Sequence, residues 1–244
     1  MTSFLSAFEK CPYRFESERK IKTKNIKPFS DIPDISIEEA YFLSELMNIN
    51  GSLSDLMTAY VMKWVRSGIT VMRSTGDMLF TGSADEIEGI GELRLFEMLL
   101  KAAGADGVLG KGEFRDYCQS RQNAVSEFRE AVRTDALKEI TDRRMSIRKD
   151  GRCTVLDDRL KPEMERTAGL RNFLEDQSNI DVKRDEGAGI WEDYLILACI
   201  YGIADDAVRQ LNMIHPTYMT SQTDCGSYFL AYRPAFRIIQ TEIQ

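Results

Sequence analysis

The chain has one histidine, no close pair of cysteines, no long apolar run and no excess of basic charge. Each shortage removes a class of function. The five cysteines, Cys11, Cys118, Cys153, Cys199 and Cys225, stand 107, 35, 46 and 26 residues apart. A disulfide framework or a CxxC zinc site needs close pairs, so neither is expected. Cys118 and Cys199 sit in apolar contexts, where a thiol acts as a small hydrophobe, and the cysteine usage points to a reducing compartment. His215 would have to serve any Ser-His-Asp or Cys-His arrangement. It precedes Pro216, at a helix end where histidine more often meets last-turn carbonyls. With one histidine and scattered cysteines, zinc lacks its usual ligands. No catalytic group, metal or cofactor is expected.

The formal charge of −7 argues against a general nucleic-acid binder, because phosphate attraction needs a basic footprint. That charge is uneven. Between Glu9 and Lys27 seven basic residues face three acidic ones, a local +4 that leaves −11 for the remainder. Lys20, Lys22, Lys24 and Lys27 within this stretch have two readings. They are a solvated linker, or a membrane-proximal arm, since lysines just inside a membrane meet anionic lipid at about 1 kcal/mol each. The N-terminus has no apolar run followed by a small-residue cleavage site, so no signal peptide is expected.

The most apolar segment is IWEDYLILACIYGIADDAVRQL, residues 190–211, with eleven uncharged residues between its acidic pairs. A membrane-spanning helix needs about 20 apolar residues, so a span is not expected. Glu192 and Asp206 lie close in angle on a continuous helix but about 21 Å apart along it. Carboxylates that act together on one bond sit roughly 5–10 Å apart. Gly202 can end a first helix and Asp205 can cap a second. Trp191, Tyr194 and Leu195, with the residues around them, make the first helix apolar on nearly every side, so it is expected in the core.

The rest of the chain is punctuated clearly. Residues 1–35 read as a basic linker. Ser36, Glu38 and Glu39 form a capping-box start, and Ser52 opens a second helix. Residues 69–81 alternate around Thr75-Gly76 as a hairpin. Residues 36–83 thus predict a first winged-helix-like unit. In residues 88–157 the apolar spacing of Leu93, Phe96 and Leu99, then Val125, Phe128 and Val132, predicts helices. A short helix is read between them in VLGKGEFRDYC, and a second hairpin turns at Asp150-Gly151. Residues 160–219 predict a C-terminal helical element, followed by a tail, 220–244. The expected class is α+β, mainly α. GADGVLGKGE, residues 104–113, fails the phosphate-loop pattern, because Ala105 and Gly112 stand where Gly and Ser/Thr are required.

The second hairpin is basic, with Arg143, Arg144, Arg148, Lys149 and Arg152 against Asp142 and Asp150. The helix before it carries Arg121, Arg129, Arg133 and Lys138 against Glu127, Glu130, Asp135 and Glu139, a balance that reads as a solvated mixed surface. DNA recognition through Arg144, Arg148, Lys149 and Arg152 is therefore the alternative, and protein interaction the main expectation.

GLRNFLEDQSNIDV and IWEDYLILACIYGIADDAVRQLNMIHPTYM resemble the C-terminal region of the bacterial predicted membrane proteins of domain-of-unknown-function family 2207. The matching positions are Gly169, Leu170, Phe173, Leu174, Trp191, Tyr194, Leu195, Ala198, Gly202, Ile203, Ala204, Pro216 and Tyr218. DIPDISIEEAYFLSELMNINGSLSDLMTAYVMKWVRSGITVM and GELRLFEMLLKAAGADGVLGKGEF are similar to earlier segments of that family. The resemblance implies a domain on the cytoplasmic side of a larger membrane-anchored protein, with a protein partner and a basic arm near the inner leaflet. It implies no activity and no catalytic residue.

Overall fold

The computed structural model describes residues 13–17, 21–73, 75–110, 112–145, 147–150, 153–176 and 188–214. These residues form a mainly helical α+β fold with two small three-stranded sheets. Helix α1 spans Ile37–Met47 and starts where Ser36 Oγ accepts a hydrogen bond from the Glu39 N–H at 3.1 Å. It ends at Asn48, whose backbone is left-handed (φ 56°), two residues before the expected Asn50-Gly51 stop. Helix α2 spans Leu53–Ser67 with a full capping box between Ser52 and Asp55. Both starts are local chemistry, but at α1 only the Ser36 half of the expected box forms, because the Glu39 carboxyl turns to Arg143.

Strands β2 (Thr70–Met72) and β3 (Met78–Phe80) form the first hairpin. Helix α3 (Ile90–Ala103) follows, then β4 (Val108–Leu109), α4 (Glu113–Ser120) and α5 (Ala124–Asp142). VLGKGEFRDYC is thus not one helix. Gly107 and Gly112 hold positive φ at 65° and 90°, which breaks the helix and frees Val108 and Leu109 to pair with β3. Strands β5 (Ile147–Asp150) and β6 (Cys153–Leu156) make the second hairpin, with Asp150 opposite Cys153 across the expected turn. Helices α6 (Lys161–Glu175), α7 (Ala188–Ile200) and α8 (Ala204–Ile214) complete the described chain.

The two helix-then-hairpin stretches are interleaved in space. In a winged helix, the short strand after the first helix closes the sheet of its own hairpin. Here β4 joins the first hairpin, giving the order β2-β3-β4. The second hairpin takes its third strand from β1, Tyr13–Phe15, which pairs parallel with β6. This strand lies in the stretch read as linker. A parallel partner about 140 residues away leaves no local signature, because its register is set by tertiary packing.

One core runs through residues of α1–α8 and the first sheet. A smaller one, built on Phe42, Leu43, Ala136, Ile140, Leu156, Leu160 and Met164, fills the space beneath the second sheet. Helix α1 feeds both, which buries it on two sides. Helix α7 lies against α1 and α2, and it is buried as expected: Trp191 is 4% and Tyr194 1% exposed. Gly202 holds φ +69° and breaks the helix before α8. Asp205 is in the first turn of α8 and does not occupy the cap position, since the helix begins at Ala204. Its negative charge still suits the positive N-terminal end of the helix dipole.

Candidate functional site

The basic stretch continues from β1 into a strap that the fold pins down. Residues 21–35 run over α6 and α7. The Asn172 side-chain amide donates to the carbonyls of Thr23 (3.0 Å) and Ile26 (2.9 Å). The Phe29 N–H donates to the Gly169 carbonyl at 3.0 Å, and the Tyr194 hydroxyl donates to the Ser30 carbonyl at 2.8 Å. Gly169 permits this approach, for a Cβ there would sit 3.0 Å from both the Lys27 carbonyl oxygen and Phe29 Cβ. Pro28 and Pro33 withhold donors and keep the backbone extended. Lys22, Lys24 and Lys27 are exposed at the start of the strap, and Asp31 and Asp34 are exposed further along it. Lys20 lies outside the described residues.

The second hairpin presents a different picture. Arg144 and Lys149 are exposed. Arg144 takes a left-handed backbone (φ 63°), and its carbonyl accepts from Arg159 at 2.8 Å. Arg148 occupies the register position opposite Val155, and Arg152 lies outside the described residues. Several neighbouring bases are already matched: Arg14 with Asp150, Arg143 with Glu39 and Glu163, Arg159 with Asp157. The preceding helix, α5, is packed between α1 and α3. Its charges divide in two. Glu127, Arg129, Glu130 and Lys138 are exposed, as is Arg121 ahead of the helix, with Glu130 pairing Arg133 within it, while Asp135, Arg133 and Glu139 also turn to neighbouring elements. Asp135 is buried and accepts from the Gly91 N–H at 2.6 Å, Arg133 reaches Glu45 of α1 at 2.7 Å, and Glu139 accepts from Ser36 at 2.6 Å. Balanced charge counts on one helix do not reveal that the partners sit on other helices.

Buried acids are the feature the sequence hid. Glu38 accepts from the Tyr60 hydroxyl at 2.7 Å. Glu92 accepts from Trp64 Nε1 at 2.7 Å and Lys63 Nζ at 2.8 Å. Burial pushes the Glu38 carboxyl above its ordinary range, against the lowering effect of the Tyr60 hydrogen bond. These acids bond protein donors, and among the described residues no group of three or more His, Cys, Asp or Glu side chains is arranged to hold a metal. Charged side chains in first turns normally face water, so Glu38, Glu39 and Glu92 gave no signal of burial.

A cleft of about 510 Å³ lies between the strap, α1, the end of α2 and α7. Its walls are mostly apolar, from Ile32, Pro33, Ile35, Ile196 and Leu197. Its charges are internally matched, Lys63 to Glu92 and Arg66 to Glu192 (3.3 Å) and Asp193. Glu192 therefore works with Asp193 on one arginine, while Asp206 pairs with Arg209 within α8. Burial holds the Cys118 thiol up at about 11, which keeps it protonated and unreactive at neutral pH. Cys199 is buried beside Met62. His215 lies outside the described residues.

Among the described residues no helix is long and apolar enough to cross a membrane. Comparison with family models, curated proteins and solved structures gives no match, so the family resemblance rests on the residues quoted for it above.

Proposed function

We propose that this chain is a non-enzymatic interaction domain, held at the cytoplasmic face of a bacterial membrane and related to the C-terminal region of domain-of-unknown-function family 2207. One observation carries the reading. Lys22, Lys24 and Lys27 are exposed on a strap whose backbone is fastened to α6 and α7. A fastened strap presents its charges at small entropic cost, and each lysine near an anionic surface contributes about 1 kcal/mol. The helix–strand–helix–helix–hairpin order from Ile90 to Leu156 is that of a winged-helix-like unit whose short strand has moved to the first hairpin, and protein contact is the use proposed for it. The buried acids support a structural role too, since Tyr60, Trp64, Lys63 and the Gly91 amide occupy them.

Vesicle co-sedimentation tests this. The chain should bind vesicles containing phosphatidylglycerol and not those of phosphatidylcholine alone. The triple variant Lys22→Glu, Lys24→Glu, Lys27→Glu should lose about a hundredfold or more in affinity. Rising salt should weaken the wild type, because exposed charges are screened within about 10 Å at 0.1 M. Equal binding by variant and wild type would remove the proposal. Salt-dependent binding to random duplex DNA, lost on Arg144→Glu, Arg148→Glu and Arg152→Glu, would replace it with the nucleic-acid reading.

A further inference from the structure

The joint of α1, α5 and α6 holds a charge set that membrane contact does not use. Glu39, in the first turn of α1, is 1% exposed. Arg143, at the end of α5, donates one guanidinium nitrogen to Glu39 and the other to Glu163 of α6, the latter at 2.7 Å. One guanidinium therefore holds both carboxyl groups at the same joint. The second oxygen of Glu163, Oε2, is buried without a hydrogen-bond partner. Two carboxylates and one guanidinium leave one uncompensated negative charge on a set whose Glu39 end is buried and whose Arg143 and Glu163 side chains are 33% and 21% exposed. Buried charge and buried lone pairs without donors are both costly. A single proton on the Glu39 carboxyl offsets both defects, because it supplies a donor beside Glu163 and brings the set to neutrality.

We propose that Glu39 takes up a proton beside Glu163 and forms a pH-sensitive latch that joins α1 to α6 through Arg143. The other charged groups around the joint are committed elsewhere. From α5, Glu139 accepts from Ser36. From α2, Tyr60 binds Glu38 and Lys63 binds Glu92. The acids of α7, Glu192 and Asp193, are held by Arg66. Ahead of α6, Asp157 pairs with Arg159 and Asp158 with Lys161.

Burial pushes the Glu39 carboxyl up to about 7, with Arg143 opposing and Glu163 reinforcing the rise. A carboxyl that titrates higher in the fold than in the unfolded chain gives stability that is fully present below the unfolded value, about 4.3. That stability is lost as pH rises through about 7.

Chemical denaturation as a function of pH tests the latch. The wild-type unfolding constant should rise about tenfold between about pH 6 and pH 8 from this pair. Glu39→Gln mimics the protonated state, since its amide donates to Glu163 while its oxygen accepts from Arg143, and should abolish that rise. Infrared spectroscopy supplies a readout independent of stability. A protonated-carboxyl stretch should be present near pH 6 in the wild type and absent from Glu163→Gln, where the lone Glu39 carboxylate is satisfied by Arg143. Parallel pH profiles for wild type and Glu39→Gln, or no carboxyl band that the variants remove, would overturn the proposal.

Discussion

Alanine in place of Gly51 is expected to lower stability by about 3 kcal/mol, a fall of roughly 6–12 °C in Tm for a chain of this size. The reason is a backbone-to-backbone crossing. Gly51, in the turn between α1 and α2, donates its N–H to the Ile200 carbonyl at 2.6 Å. A Cβ there would lie 2.5 Å from the Cys199 carbonyl oxygen and 2.9 Å from the Gly202 nitrogen. Neither is the flexible end of a side chain, so the α1–α2 and α7–α8 turns would have to separate. Gly202→Ala should be similarly harmful, for its Cβ would meet Gly51 Cα at 2.8 Å in a backbone with φ +69°. Gly76→Ala separates crowding from conformational strain. It also has positive φ, +87°, but nothing lies within 4 Å of the added carbon, so it should cost only about 1 kcal/mol. Thermal denaturation of the three variants checks the ordering, and a Gly51→Ala protein as stable as Gly76→Ala would refute the crossing.

Trp64→Ala should cost about 3–5 kcal/mol, the range for removing a large aromatic from a packed interior. Trp64 is 0% exposed and meets Phe96 edge-on at a centroid distance of 5.5 Å. Phe96 in turn packs edge-on against Phe80 of β3, so the indole connects α2, α3 and the first sheet. Its Nε1–H also serves Glu92. Trp64→Phe should keep most of the packing while taking a donor from a buried carboxylate, at about 1–3 kcal/mol. Adding Glu92→Met to Trp64→Phe should recover part of that loss, since both ends of the hydrogen bond are then apolar. Urea unfolding of the two single variants and the double variant gives the coupling. Strict additivity would mean that the indole contributes through volume alone.

What could be read in the sequence was local. The Ser36 and Ser52 caps, the close of the second hairpin at Asp150 and Cys153, the Gly202 break and the all-round apolar character of α7 each depend on residues a few positions apart. The pairings of β1 with β6 and β4 with β3 were not legible, because each strand is two or three residues long and carries too little alternation. Three sites owe their form to tertiary contact alone. The Gly51–Gly202 crossing joins turns 151 residues apart, Asn172 grips the strap from α6, and Arg143 joins Glu39 to Glu163. The lysines of the arm were visible as charge. Their fixed placement on a fastened strap was not, because the residues that fasten it, Gly169, Asn172 and Tyr194, come about 140–165 positions later.

Hydrogen exchange of the whole chain, with and without vesicles containing phosphatidylglycerol, tests the membrane-facing assignment most directly. The account predicts added protection in residues 21–30, little change in β5 and β6, and loss of the added protection in high salt. Protection confined to the second hairpin, or none anywhere, would contradict it.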